Sequence, residues 1–480
     1  MKNPLLASFK TQHQSTPFGE IKPEHFIPAI KKDILESLKA INKIANQKAQ
    51  PSFDNTINAL QNVGELLMRN STILFNLNSA ETTEEIQQIT QQASPLLTKF
   101  HNDVRLNQVL FERVKKIFEN RVNENLTSEQ LTLLEKEFKS FARNGALLSE
   151  EEKLILREID TEKAKLSLRF GENVLSDTNK FFLHITDENQ LKGLPDQVKE
   201  MGAEIAKSKN KTGWIFTLDY PSYIPFMTYL DDRELRRKMS LTFGKRGFRE
   251  NDHNNSKIIL RIIELRKKRA KLLGYESHAS FVLEERMAGS EKNVNNFLED
   301  LYQKAFPAAK KEWEELVNYA KKNLNLDQIE KWDTAYVSEK LKQAQLDLDE
   351  QLLKPYFSLE KVKLGLFEIV HKLFGLSFKK SKDIQVYHDE VEVYEVFNSN
   401  GRFHALLYTD FFPREGKRNG AWMTSYRSQK KGQRPHVSIV CNFSKPTVSM
   451  PSLLTFQEVT TLFHEFGHAL HGILSETTYS

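Results

Sequence analysis

Thr455-Phe-Gln-Glu-Val-Thr-Thr-Leu-Phe-His-Glu-Phe-Gly-His-Ala-Leu-His471 joins a helix-start signal to an H-E-x-x-H run, His464-Glu465-Phe466-Gly467-His468. Residues four apart on a helix share one face, with Cβ atoms about 5–6 Å apart. Two imidazoles at that spacing can converge on one Zn²⁺, at about 2.0–2.1 Å per nitrogen. Glu465 is rotated round the helix from both. It can reach a water at the metal without ligating the ion, and a carboxylate so placed can take that water's proton as it attacks a carbonyl. The candidate site is therefore His464 and His468 for the metal and Glu465 for catalysis.

The reading requires a helix, and the flanking residues supply one. Thr455-Phe-Gln-Glu458 is a capping box, in which hydroxyl and carboxylate satisfy each other's backbone donors. Phe456, Val459, Leu462, Phe463, Phe466 and Leu470 offer a broad apolar surface for burial. Gly472 reads as the helix end. His471 lies on the same stripe as His468. One Zn²⁺ seldom takes three consecutive ligands from one helix face, so His471 reads as packing or support. Metzincins are excluded, because their pattern places Gly at position 471 and His at 474, where this chain has His471 and Leu474.

The 480 residues are enough for two or three domain-sized cores. A content of 39% hydrophobic and 28% charged residues is ordinary for a globular protein. Net charge is +5, from 69 basic and 64 acidic residues, too balanced to point to nucleic acid. A single cysteine, Cys441, excludes an internal disulfide framework and fits a reducing compartment. The opening Met1-Lys-Asn-Pro-Leu-Leu-Ala-Ser-Phe-Lys has no adequate apolar core for a secretory leader, and no apolar run approaches membrane-spanning length. These features predict a cytoplasmic monomer with neither nucleic-acid nor membrane partners.

Residues 1–24 read as an irregular lead-in, broken by Pro17, Gly19 and Pro23. Phe26, Ile30, Ile34, Leu38, Ile41 and Ile44 predict a helix over about 25–50. A second is expected from Asp54 and a long third over 82–119. Caps at Thr127 and Ser149 open two more, the latter ending before Asp177. Trp214–Asp219 suggests a short strand, followed by helices from Tyr223, Asp232 and Asn254. An amphipathic segment over 291–324 is interrupted by Pro307. Nothing repeats at a fixed period, which argues against a solenoid.

The period changes after residue 375. Val386–Phe397 includes an alternating stretch, Asn398-Ser-Asn-Gly401 is a hairpin turn, and Arg402–Asp410 is the returning strand. Val437–Phe443 is a third strand. Gly416–Tyr426 reads as a loop near the cleft with Trp422 as a packing anchor, and it matches neither phosphate-loop pattern. A small sheet just ahead of the metal helix suits a protein that holds an extended peptide along a strand edge. The division expected is a helical region, 1–375, and a region of sheet and metal helix, 376–480.

The run at 464–471, with Thr461-Leu-Phe before it, resembles the thimet-oligopeptidase family of zinc metallopeptidases. Pro17-Phe-Gly-Glu-Ile-Lys-Pro-Glu-His-Phe-Ile-Pro-Ala-Ile30, Asn173-Val-Leu-Ser-Asp-Thr-Asn179 and Arg286-Met-Ala288 are similar to its bacterial peptidyl-dipeptidase branch. Lys417-Arg-Asn-Gly-Ala-Trp-Met423 resembles the family's Lys-Arg-Gly-Gly-Ala-Trp-Met, with Asn419 replacing a glycine at a position where tolerance of positive φ would help. The resemblance implies a mainly α, neurolysin-like, elongated multi-helix ellipsoid with a deep channel and a small sheet beside the H-E-x-x-H helix. It implies hydrolysis of short oligopeptides, with release of C-terminal dipeptides. It also implies one Zn²⁺ with a third ligand, a Glu, about two dozen residues past the second histidine. Glu476 is the only acid after His468 and lies too far up the same helix. That ligand, and a substrate-gripping loop, are therefore expected beyond residue 480, the chain reading as incomplete at its C-terminus. The alternatives are a truncated, inactive relative that binds peptide or metal, and a helical scaffold in which the motif is structural.

Overall fold

The computed structural model describes residues 3–347 and 349–479; Met1 and Lys2 of the opening stretch, and Ser480, lie outside the described residues. Among the described residues the protein is mainly helical, with a five-stranded mixed sheet and a separate two-stranded antiparallel pair. The lead-in is irregular, with three short 3₁₀ turns, yet Leu5, Phe9 and Phe18 are buried in the core.

Helix α1 (Phe26–Ala45) follows the predicted periodicity and buries Phe26, Ala29, Ile30, Ile41 and Ile44. The next segment departs from a plain helix. Phe53–Asn58 winds as a π-turn, α2 (Ala59–Gln61) adds a single turn, and Gly64 at φ +76° redirects the chain into α3 (Glu65–Ala80). The long helix expected over 82–119 is two helices. α4 (Glu84–Arg105) stops at Leu106, and Asn107 caps α5 (Gln108–Glu119) by accepting from the Leu110 amide at 2.9 Å. A short polar side chain offers the backbone an alternative to continuing the helix, and here the alternative prevails.

Thr127 and Ser149 cap α6 (Ser128–Arg143) and α7 (Glu150–Asn179) as expected. α7 runs on past the predicted stop, because its terminal polar residues have tertiary partners. Buried Asp177 accepts from the Gly247 amide at 2.8 Å and from Asn251 at 3.0 Å, and Asn173 donates to Asn255 at 2.8 Å. Strand β1 (Leu183–Ile185), not foreseen in the sequence, pairs antiparallel with β2 (Trp214–Phe216). Around this pair lie α8 (Asp196–Ser208), α9 (Tyr220–Tyr229) and α10 (Arg233–Gly244). Then come α11 (Ser256–Leu272), α12 (His278–Leu283), α13 (Glu291–Leu324), α14 (Thr334–Leu346) and α15 (Leu359–Phe374). Pro307 does not interrupt α13. This part of the helix is exposed, so water can take the carbonyl that proline leaves without a donor.

The larger sheet runs β3 (Ser377–Ser381), β4 (Glu392–Phe397), β5 (Phe403–Asp410), β7 (His436–Val440), β6 (Trp422–Arg427). Only β5 and β7 are parallel. Gly401 at φ +71° closes the predicted hairpin between β4 and β5. The expected loop over 416–426 therefore ends at Ala421: residues from Trp422 form a fifth strand at the sheet edge. Both sheet faces are covered. Val393, Leu406 and Tyr408 pack on α1, α3 and α4. Tyr394, Val396, Ala405 and Leu407 pack on α15 and on α16 (Phe456–Leu474), the helix that carries the motif.

Candidate active site

The start of α16 is held as its sequence requires. Thr455 Oγ1 accepts from the Glu458 amide at 3.1 Å, and Glu458 Oε2 accepts from the Thr455 amide at 2.8 Å. The other oxygen of Glu458 accepts from the Ser444 amide and hydroxyl at 2.9 and 3.2 Å, tying the helix start to the chain leaving β7. Thr455→Ala removes the cap acceptor and should lower stability by about 1 kcal/mol. The shift is measurable in urea midpoint; an unchanged midpoint would show that Glu458 alone secures this end.

Leu462, Phe466, Ala469 and Ile473 recur at helical spacing and are buried against the sheet. Gly472 does not end the helix, which continues to Leu474. It marks instead the closest crossing over the sheet. A Cβ there would lie 3.0 Å from the Met423 methyl and 3.1 Å from Val437 Cγ1, so even an alanine would require these side chains to give by a few tenths of an ångström.

With that face buried, His464 and His468 are exposed on the other, their ring centroids 4.9 Å apart and their planes at 81°. Glu465 is only 8% exposed and lines a cavity of about 530 Å³ with Ala421, Trp422, Met423, His468, His471 and Gly472. The structure thus brings Glu465, His468 and His471 to one cavity; His464 stands one turn earlier on the helix, outside that lining. Among the described residues no group of three or more His, Cys, Asp or Glu side chains is gathered for a metal. Two exposed imidazoles in helical register fit two positions of a tetrahedral zinc site and leave the rest of the shell open. Cys441 is fully buried, and burial pushes its thiol well above the ordinary range. It is a packed residue and not a nucleophile.

Sequence reasoning missed the residues that deliver β6 to this cavity. Asp410, at the end of β5 and fully buried, accepts from Arg414 at 2.6 and 2.8 Å, from Lys417 at 2.8 Å and from the Tyr387 hydroxyl at 2.6 Å. Lys417 also donates to the carbonyls of Asp410 and Phe412, and Arg414 pairs with Glu81. Asn442 donates to the carbonyls of Arg418 and Gly420 at 3.0 and 2.7 Å. The loop is thereby pinned at both ends. Asn419 does not take positive φ; Gly420 does, at +107°. Gly416 is required by close approach, since a Cβ would meet the Thr82 carbonyl at 2.5 Å. A buried lysine and arginine beside one aspartate four to seven residues earlier was the available signal, hidden by its resemblance to an ordinary basic loop.

A helix with this motif, buried on the sheet and open beside an edge strand, defines a class that the comparisons identify. The model of peptidase family M3 matches residues 226–480. Over 99% of the chain, oligopeptidase A of Escherichia coli (strain K12) is 33% identical, with 71% of that protein covered. The dipeptidyl carboxypeptidase of the same organism is 33% identical over 100% of the chain and 71% of its own length. The organellar oligopeptidase A of Arabidopsis thaliana is likewise 33% identical, over 99% of the chain and 61% of that protein. The chain belongs to peptidase family M3 and is a peptidase. No helix among the described residues is long and apolar enough to cross a membrane.

Proposed function

We propose that this protein is a zinc-dependent metallopeptidase that hydrolyses short oligopeptides and releases dipeptides from their C-termini. The observation that carries the proposal is Glu465, buried yet open to a cavity that it shares with His468, His471 and the Ala421–Met423 end of the β6 edge. The names of the relatives, oligopeptidase A and dipeptidyl carboxypeptidase, support the substrate class. His464 and His468 would hold the zinc, with a third ligand, a Glu, from beyond residue 480. When bound, the ion supplies Lewis acidity, polarising a carbonyl and acidifying water.

Glu465 takes the proton of the attacking water and returns it to the leaving amine, and its low exposure keeps bulk solvent from competing for that proton. The β6 edge offers backbone groups to an extended peptide, independent of peptide sequence. Asn76 occupies the far end of that edge, donating to the Ser425 carbonyl at 3.1 Å and accepting from Thr424 at 2.8 Å. The Ala421–Met423 end is left facing Glu465. In this proposal residues 376–480 carry the chemistry and residues 1–375 supply the flanking walls, in a cytoplasmic monomer.

A second reading, an inactive peptide- or metal-binding protein, is favoured by one observation, the absence of a third ligand side chain beside the pair among the described residues. Zinc content after dialysis, measured beside peptide hydrolysis, separates the two. Residues 1–480 should hold zinc loosely and turn over little. A chimaera carrying the part of oligopeptidase A beyond the 71% matched here should gain both, and His464→Ala or His468→Ala should abolish both in it. Tight stoichiometric zinc in the 480-residue chain would put the third ligand within it. A chimaera that binds zinc but hydrolyses nothing would favour the second reading.

A further inference from the structure

A second cavity, of about 410 Å³, lies beside the first and shares Ala421 with it. Val198 of α8, Ile224 of α9 and Phe443 give it apolar walls, and Thr461 of α16 lies along its floor, one helical turn before Glu465. Among these walls stand two polar side chains, Lys354 and Gln197, each only 6% exposed. Their partnering is incomplete. Among the described residues the Lys354 ammonium makes one hydrogen bond, to Gln197 Oε1 at 3.3 Å, and no ion pair. The Gln197 amide nitrogen has no partner.

The nearest acids, Glu458 and Glu350, act on Lys354 through space but make no hydrogen bond or ion pair with it. Glu458 already accepts from Ser444 and Thr455, and Glu350 accepts from Lys342 at 2.8 Å. An ammonium carries three donors and a primary amide two. Burying them unpaired costs free energy that a ligand can recover, and a buried polar group without a partner calls for one. Two adjacent donors match the two oxygens of one carboxylate. The position suits a peptide lying past Glu465. Glu458, which also lines this cavity, precedes Glu465 by seven residues, a rise of about 10 Å along the helix. An extended peptide of a few residues spans that distance.

We propose that Lys354 and Gln197 form a carboxylate-binding subsite of the substrate cleft, for an acidic group of a peptide that passes Glu465. The carboxylate is either the peptide's own C-terminus or an Asp or Glu side chain. The proposal rests on the peptidase reading for its substrate, and on the cavity alone for its chemistry.

N-acetyl-phenylalanine and its amide, alike in size and different in charge, probe the cavity without any turnover. The acid should raise the Tm of the 480-residue chain more than the amide does. Lys354→Met should erase that difference and Gln197→Leu should reduce it, the loss in acid affinity being about 10–100-fold, as for a hydrogen bond to a charged group. Equal shifts from acid and amide in the unmodified protein overturn the proposal without any variant, and mean that water satisfies the lysine. If Lys354→Met does not fold, Gln197→Leu and the acid–amide comparison still decide.

Three blocked tetrapeptides identify the source of the carboxylate: one with a free C-terminus, one amidated, and one amidated with an internal Glu. Preference for the first or the third over the second supports the subsite and names its ligand. An acid-specific shift in a protein that never hydrolyses peptides keeps the subsite and removes the peptidase reading. Hydrolysis whose acid preference survives Lys354→Met keeps the peptidase reading and removes the subsite.

Discussion

Glu465→Gln should reduce peptide hydrolysis by about 10²–10⁴-fold, the range that a positioned general base contributes. Bound zinc should not change. Glutamine has the shape of glutamate and fits the same buried position over the cavity, so the packing of Leu462, Phe466 and Ala469 on the sheet is undisturbed. What is lost is the ability to accept a proton. The variant belongs in the hydrolysing chimaera, with turnover of a short peptide and zinc content measured on one preparation. Loss of turnover at full zinc occupancy assigns the base. Near-normal turnover would sink the assignment and direct attention to His471, the other titratable group that shares the cavity with Glu465 and His468. The contrast with His468→Ala is diagnostic: that change should remove metal and activity together.

The sequence announced the chemistry more clearly than the architecture around it. The motif helix could be read from local rules alone, because a capping box and a helical apolar stripe are properties of consecutive residues. Its end could not. Gly472 carries the usual signal for termination, yet it is where α16 approaches Met423 and Val437, a demand set by residues some thirty to fifty positions earlier. The same division separates the helices read well from those read poorly. Thr127 and Ser149 act locally and cap their helices as read, whereas Asp177 has the look of a stop and instead bonds, as Asn173 does, to residues 247–255. In the sequence β6 looks like a loop because flanking glycines outweigh its Trp, Met, Thr and Tyr. Strand pairing is decided by a partner, here Val440 opposite Trp422 and Ile439 opposite Met423, and no local rule supplies one.

Asp410→Asn should destabilise the protein by about 3–5 kcal/mol, the cost of removing one partner from a buried ionic cluster. Asp410 is fully buried with Lys417 and Arg414 against it, and those two have few other charges to turn to: Arg414 retains Glu81, while Lys417 retains only backbone carbonyls. Burial opposes the charge on Asp410, and the bonds from Arg414 and Lys417 more than offset it, so the carboxyl is held below its usual range. A carboxyl depressed on folding stabilises the protein above its unfolded pKa. That contribution is lost as pH falls through the lower, folded value. The unmodified protein should therefore lose stability on the acid side below the ordinary carboxylate range, and Asp410→Asn should lose less there, having less to lose. Lys417 sets a ceiling on the damage. Burial holds its pKa down to about 8 even with Asp410 beside it, so without the aspartate the ammonium should shed its proton near neutral pH before it remains as an unpaired buried charge. Urea midpoints of both proteins at pH 7 and at about pH 3, below the ordinary carboxylate value, measure this. A destabilisation under about 1 kcal/mol at pH 7, the size of an exposed ion pair, would show that the cluster does not hold the loop, and the placement of β6 beside Glu465 would then need another cause.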